Sequence, residues 1–269
     1  MTFKELIKKT KVSTSIIVIC VLMFLVVNNY PNLSETEAAI LFGAYYKSLI
    51  VAGEFWRLLS CGFIHVSAMH LLVNMFALGN IGRFMEIQVG AKKYLTIIIL
   101  SIIGGSIFQF IVAGNSVAVG LSGGLYGLVA AYTYLLCVTG AIKDPVIKSN
   151  LIRIYLINLM INFMPGVAYS AHLGGYIFGV FVMAIMDKGM NKGLRTHFII
   201  SFIITIALVS YLFVKATYIK ENERYMRTDY VILSEYKKFH LDNYAYNLAN
   251  KLDDMYDTDN LMYNALKEE

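Results

Sequence analysis

Charged residues are scarce in this 269-residue sequence. Asp, Glu, Lys and Arg make up 15% of it, whereas a soluble domain carries roughly 25%. Proline is also rare, with three residues, and hydrophobic residues account for 58% of the chain. This composition excludes an ordinary soluble domain. It predicts an all-α, multi-pass protein of the lipid bilayer.

Cysteine is also scarce. Cys20, Cys61 and Cys137 are scattered, so they form neither a disulfide framework nor a metal-ligand pattern. The net charge of +5 comes mainly from lysine and arginine in short loops between apolar segments, where membrane topology explains it. The sequence therefore predicts no metal, no cofactor and no nucleic-acid partner.

Seven apolar segments are predicted to cross the membrane. They comprise residues 12–27, 66–81, 94–112, 122–138, 152–164, 170–186 and 198–214. The first is interpreted as a retained span, because no small-residue cleavage site follows it, and the second is predicted to end at Gly82. The fifth is short for a bilayer crossing.

Lysine and arginine are concentrated in alternate loops, and this pattern predicts a cytoplasmic N-terminus. Seven spans then place the C-terminal tail outside, on the side where the polar residues of spans two, four and six lie. The predicted organisation is a cytoplasmic N-terminus (1–11), a six-helix core (12–187), a linker with a seventh span (188–218) and a polar, acidic extracytoplasmic tail (219–269).

Two polar regions lie outside the predicted spans. Residues 28–64 contain charged and aromatic side chains, a mixture that predicts short helices lying in the outer interface. A loose extracellular loop is the competing interpretation. In the tail, spaced apolar residues predict amphipathic helices, although their period is imperfect.

Three predicted spans carry polar residues that are costly in a membrane. Ser122 begins span four, His70 and Asn74 share one face of span two, and His172 begins span six. Each of these residues also has a structural interpretation: Ser122 would pack helices closely, His70 and Asn74 would form interhelical hydrogen bonds, and His172 would be a satisfied core histidine. Several such groups at one depth favour a functional site.

The chemistry of these residue types points to a hydrolase. A serine hydroxyl becomes a good nucleophile only when a base takes its proton, and His172 is the candidate base. Gly175 lies on the same helix face, where it would let span six approach span four. No Asp or Glu lies in either segment, so no third, acidic member is evident. Tyr126, one turn after Ser122, would stack on the imidazole or would simply pack.

Acyl transfer also needs donors for the oxyanion. The N–H groups of Leu121 and Ser122 lie at a helix N-terminus, and Gly120 would let the backbone expose them. His70 and Asn74 would add side-chain donors from span two.

Five motifs resemble those of the rhomboid family of intramembrane serine proteases, over about residues 54–187. They are Trp56-Arg57, His65 with His70 and Asn74, Glu86 with Gly90, Gly120-Leu-Ser122-Gly123, and Ala171-His172 with Gly175 and Gly179.

The resemblance implies a Ser122–His172 dyad with Tyr126 packed against His172. It implies an oxyanion hole of His70, Asn74 and the N–H groups of Leu121 and Ser122. It also implies a serine endopeptidase of the bacterial cell membrane that opens to the extracytoplasmic side. Its substrates would be transmembrane helices, cut near the outer face.

Two other classes of protein compete with a protease. A channel or transporter also places polar residues in spans, but it would carry more intramembrane acids or paired broken helices. A non-catalytic protein that captures transmembrane clients differs from a protease only in activity.

Overall fold

The computed structural model describes residues 3–113, 116–217 and 225–268, and most of these residues are helical. In chain order the helices are α1 (Phe3–Lys9), α2 (Lys11–Asn28), α3 (Glu35–Leu41), α4 (Lys47–Val51), α5 (Arg57–Ser60), α6 (Ala68–Ala77), α7 (Arg83–Val89), α8 (Ala91–Val112), α9 (Ser122–Val138), α10 (Pro145–Asn162), α11 (Tyr169–Met186), α12 (Lys192–Thr217), α13 (Met226–Lys238), α14 (Asp242–Tyr256) and α15 (Leu261–Glu268). Two short strands, β1 (Tyr45–Tyr46) and β2 (Val117–Ala118), pair with each other.

Each predicted span contains a helix. Among the described residues, α2, α8, α11 and α12 are long and apolar enough to cross a membrane. The segments Arg57–Phe63 and Ala68–Val89 form a pair bent by 92° that would add a fifth crossing, and α9 is apolar but shorter. The all-α, multi-pass fold is confirmed, and the count of seven spans stays a prediction.

Three helices, α8, α9 and α11, form the centre of the bundle. Glycines allow α9 and α11 to touch backbone to backbone. A Cβ atom on Gly175 would overlap the carbonyl oxygen of Gly123, and one on Gly179 would overlap that of Gly127. Larger residues at these positions would force the two helices apart.

The second predicted span runs further than expected. Its predicted end at Gly82 was wrong, because the chain passes through a π turn, Leu78–Gly82, and continues as α7 to Val89. A Cβ on Gly82 would lie 2.9 Å from the hydroxyl oxygen of Tyr94. This glycine therefore makes room for a neighbouring side chain and does not end the helix.

Glu86 lies in this continuation, where it caps the first long helix. Its buried carboxylate accepts hydrogen bonds from the N–H groups of Val12, at 2.9 Å, and Ser13, at 2.8 Å. The Ser13 hydroxyl donates a further bond at 2.7 Å. These bonds satisfy first-turn N–H groups of α2, and the carboxylate faces the positive end of the helix dipole.

The polar segment after α2 contains the short helices α3, α4 and α5, and its position in the outer interface stays a prediction. The same segment also hydrogen-bonds to the loop that precedes α9. Tyr45 of β1 lies opposite Ala118 of β2, and the N–H of Gly120 donates to the carbonyl of Cys61 at 2.9 Å. The sequence did not predict this two-residue pairing, because it is too short to show a strand period.

The tail folds into α13, α14 and α15, so the predicted amphipathic helices are confirmed. Their apolar faces share a hydrophobic core with the segment after α2. Ile40 and Leu49 of that segment are buried in this core with Ile232, Leu248 and Leu252 of the tail. The tail therefore covers the segment that adjoins the Ser122 loop.

Arg57 is buried beneath the tail, where its guanidinium donates four hydrogen bonds. Its Nε donates to Glu54 at 2.5 Å, and its Nη1 donates to the carbonyls of Ile40, at 2.5 Å, and Ala44, at 3.0 Å. Its Nη2 donates at 2.9 Å to the Tyr236 hydroxyl, which donates to Glu54 at 3.0 Å. Burial raises the pKa of Tyr236, so this hydroxyl stays protonated.

Replacing Tyr236 with Phe is expected to lower the free energy of unfolding by about 1–3 kcal/mol, because the buried Arg57 and Glu54 would each lose a hydrogen bond. Denaturant titration of the purified chain in detergent measures this change. The matched control is Tyr211→Phe, since Tyr211 is 65% exposed on α12. Equal stability of the two variants would contradict the bridging role of Tyr236.

Candidate active site

Ser122 is the first residue of α9, and its position follows from the turn before it. Gly120 has φ of +113°, in the left-handed region that favours glycine, and Leu121 is buried at the helix cap. The first-turn N–H groups of a helix have no partner within it and carry partial positive charge. The serine hydroxyl is therefore held beside backbone donors that suit an anion.

His172 lies near the start of α11 and is 4% exposed. Its Nε2 is 2.8 Å from the Oγ of Ser122, within hydrogen-bonding distance. The backbone contact between Gly123, the second residue of α9, and Gly175, about one turn after His172 in α11, lets the two helices come this close. The structure thus brings together the two residues that the sequence proposed as nucleophile and base.

The imidazole is also fixed by contacts away from Ser122. The Tyr126 ring lies parallel to it, with 4.1 Å between ring centroids and an angle of 11°. On the other edge, Nδ1 of His172 is 2.5 Å from Oδ1 of Asn162, the last residue of α10. The imidazole is therefore held on its face and on the edge opposite Ser122.

Asn162 was missed by the sequence analysis. Its amide does not titrate, and a turn containing Pro165 and Gly166 separates it from His172, so no helical spacing links the two residues. The useful signal was the lack of an acidic residue in spans four and six, which left the Nδ1 of His172 without a named partner.

The proposed oxyanion donors of α6 lie beside the serine loop. A Cβ on Gly120 would overlap the His70 ring, so this imidazole lies directly against the turn that leads to Ser122. Asn74 is buried, and its Nδ2 donates to the backbone carbonyl of His70 at 3.0 Å. A carboxamide has a second N–H, which leaves Asn74 one further hydrogen to donate.

A cavity of about 30 Å³ lies next to Ser122. Its lining includes Gly120 and the polar side chains of Ser106 and Gln109. A cavity needs roughly 10–15 Å³ and polar partners to hold a water molecule. A water molecule therefore has space beside the serine.

Other motif residues make their contacts elsewhere. Trp56 is 46% exposed, and the Arg57 guanidinium lies 4.6 Å from its ring centroid, in the segment under the tail. Glu86 caps α2, and Gly179 lies further along the α9–α11 contact. These residues stabilise the helices and the segment around the Ser122–His172 pair through contacts that do not involve the pair itself.

The fold and the site together define an integral, multi-pass membrane protein in which a serine hydroxyl meets a histidine within the helix bundle. A family model described as "Rhomboid domain" matches residues 52–189, which include every motif residue named above. The chain belongs to the rhomboid family.

Curated relatives agree with this assignment. "Rhomboid protease GluP" of Bacillus subtilis (strain 168) is 33% identical over 190 residues, which cover 70% of this chain and 37% of the relative. "RHOMBOID-like protein 5" of Arabidopsis thaliana is 35% identical over 144 residues, which cover 52% of this chain and 47% of the relative. "Inactive RHOMBOID-like protein 8" of the same plant is 30% identical over 137 residues, 50% of this chain and 39% of the relative. The chain thus spans less than half of each relative.

Gly175→Ala is expected to lower the free energy of unfolding by about 1–3 kcal/mol, because the new methyl group would overlap the Gly123 carbonyl and force α9 from α11. Denaturant titration in detergent measures the change. Gly79→Ala is the matched control, since no atom lies within 4 Å of its added Cβ. Unchanged stability of Gly175→Ala would contradict the close backbone contact.

Proposed function

We propose that this protein is an intramembrane serine endopeptidase that hydrolyses peptide bonds in or near transmembrane helices. Ser122 is the nucleophile and His172 is the general base. The observation that carries the proposal is the 2.8 Å separation between Nε2 of His172 and Oγ of Ser122, inside a helix bundle. A serine with an adjacent base is the arrangement that nucleophilic catalysis requires.

The reaction proceeds in two acyl transfers. The Oγ of Ser122 attacks the scissile carbonyl carbon while Nε2 of His172 takes the hydroxyl proton. As the tetrahedral intermediate collapses, the C–N bond breaks and the imidazolium gives that proton to the leaving amine. Water then attacks the acyl-serine, with His172 again as base, and releases the new carboxylate and the free Ser122 hydroxyl.

The oxyanion is stabilised by donors around the serine loop. The N–H groups of Leu121 and Ser122 supply two hydrogen bonds at the positive end of α9. The position of the His70 ring against Gly120 and the second N–H of Asn74 support a role for both side chains. Interhelical hydrogen bonding is the alternative role of His70 and Asn74. The bond from Asn74 to the His70 carbonyl lies within α6, so one N–H of Asn74 already binds its own helix.

The substrate class follows from the setting of the site. A nucleophile inside a membrane bundle acts on chains that reach it through the bilayer, so the partners are transmembrane proteins and lipid. The resemblance to rhomboid proteases implies substrate helices that are cut near the outer face, often beside small residues where the helix unwinds. The Bacillus relative is named a rhomboid protease, which supports this proposal. The plant relative that is named inactive shows that family membership alone does not establish activity.

We place the site on the extracytoplasmic side of a bacterial plasma membrane, with the N-terminus in the cytoplasm. Lysine and arginine in alternate loops support this orientation. Packing of the tail on the segment next to the Ser122 loop supports a tail on the same side. Residues 12–187 then form the catalytic core, residues 188–218 add a seventh span, and residues 219–269 form an extracytoplasmic unit.

Ser122→Ala and His172→Ala are each expected to lower the rate of cleavage of a model transmembrane substrate by at least about 10³-fold, because each removes one half of the proton-transfer pair. Cleavage by the purified full chain in detergent measures the effect, with melting temperatures to verify folding.

Matched controls are Ser201→Ala and His197→Ala, which remove the same side chains from exposed positions of α12 and should retain the original rate. Near-normal cleavage by a folded Ser122→Ala or His172→Ala variant would rule out the dyad. A folded wild-type chain that neither cleaves nor reacts at Ser122 would favour a client-binding protein.

A further inference from the structure

Asn162 ends α10 at a junction of three helices. Its Oδ1 is 2.5 Å from Nδ1 of His172 on α11, and its Nδ2 is 3.1 Å from the hydroxyl oxygen of Tyr126 on α9. The same hydroxyl lies 3.1 Å from the backbone carbonyl of Asn158, one turn earlier in α10. These contacts form a continuous hydrogen-bonded chain that ends at Ser122.

The direction of every bond in this chain follows from its first member. A backbone carbonyl can only accept, so the Tyr126 hydroxyl must give its single proton to Asn158. That hydroxyl then accepts a hydrogen bond from Nδ2 of Asn162. With its amide nitrogen turned toward Tyr126, Asn162 presents its carbonyl oxygen to His172.

The orientation of Asn162 determines the tautomer of His172. An amide oxygen only accepts, so the neutral imidazole must carry its proton on Nδ1. Nε2 is then left with a lone pair, which faces the Ser122 hydroxyl at 2.8 Å. This is the tautomer that can take the serine proton. The other tautomer would point an N–H at the nucleophile.

We propose that Asn162 is a positioning residue that selects this tautomer of His172 and holds its ring toward Ser122. The proposal rests on the proposed function, in which His172 is the base. The Asn162 oxygen also remains hydrogen-bonded to Nδ1–H when the ring becomes an imidazolium, so its contact stabilises the charged state that forms during acyl transfer. An acidic third residue is therefore not required.

A purely structural role makes a different prediction. Asn162 also links α10 to α9 through its hydrogen bond to Tyr126, so a role in holding these helices together would explain the same contacts. If the role is only structural, loss of this interhelical hydrogen bond lowers the melting temperature and leaves the His172 tautomer unchanged in the folded protein. Loss of a positioning residue changes the tautomer and the turnover number, kcat, with little change in KM.

The first measurement is nitrogen NMR of the full chain in detergent, labelled with ¹⁵N-histidine, at a pH where the ring of His172 is neutral. The chain has five histidines, and comparison with His172→Ala assigns the His172 signals. The wild-type protein should show a proton on Nδ1 and none on Nε2. Asn162→Leu, which removes the acceptor and keeps the bulk, should show a mixture of tautomers.

The second measurement is steady-state cleavage by the same proteins. Asn162→Leu is expected to lower kcat by roughly 10- to 100-fold, with KM within about twofold of the wild-type value. Asn162→Asp keeps an acceptor oxygen and should restore both the tautomer and most of the turnover. Tyr126→Phe keeps the ring stack but removes the hydroxyl, so the tautomer preference should weaken even if Asn162→Leu does not fold.

Asn158→Leu is the matched control, because Asn158 enters the chain of hydrogen bonds through its backbone carbonyl, which the substitution leaves in place. It should retain the wild-type tautomer and kcat. The proposal would be overturned if a folded Asn162→Leu variant kept the wild-type tautomer and kcat. It would also be overturned if Asn158→Leu lost as much tautomer preference and kcat as Asn162→Leu. The predicted tautomer in a wild-type chain that does not cleave would support the positioning role and contradict the proteolytic function.

Discussion

The contact between the backbones of α9 and α11 is the constraint on which the rest of the site depends. Gly123 and Gly175 let the two helices meet without intervening side chains, and this approach brings Ser122 within 2.8 Å of His172. Helices in a membrane gain little from hydrophobic association, so close packing and cross-helix hydrogen bonds must stabilise such a pair. The same contact that stabilises the bundle therefore assembles the proposed dyad.

A second set of contacts holds the loop that precedes Ser122. The tail supplies the Tyr236 hydroxyl to the buried Arg57 and Glu54, and Arg57 in turn binds the carbonyl of Ala44, just before β1. Strand β1 pairs with β2, which leads into the turn at Ser122. A continuous series of bonds thus joins the C-terminal helices to the loop that carries the proposed nucleophile.

The sequence predicted the helical bundle and its main polar residues because apolar runs and glycine motifs are local patterns. It placed α9 and α11 to within one residue of their observed starts. It could not predict contacts between distant segments. Asn162 reaches His172 across a turn, Tyr236 meets Arg57 across 179 positions, and α7 continues through a glycine that packing accommodates. Tertiary geometry decides each of these features.

Covalent labelling with a fluorophosphonate would reveal whether His172 activates Ser122. The full chain in detergent is treated with the probe, and the modified residue is mapped by mass spectrometry. If His172 activates Ser122, a phosphonyl adduct will form on Ser122 in the wild-type protein and none will form at that residue in a folded His172→Ala variant. An adduct on another serine, or labelling of Ser122 at an unchanged rate in His172→Ala, would contradict this activation.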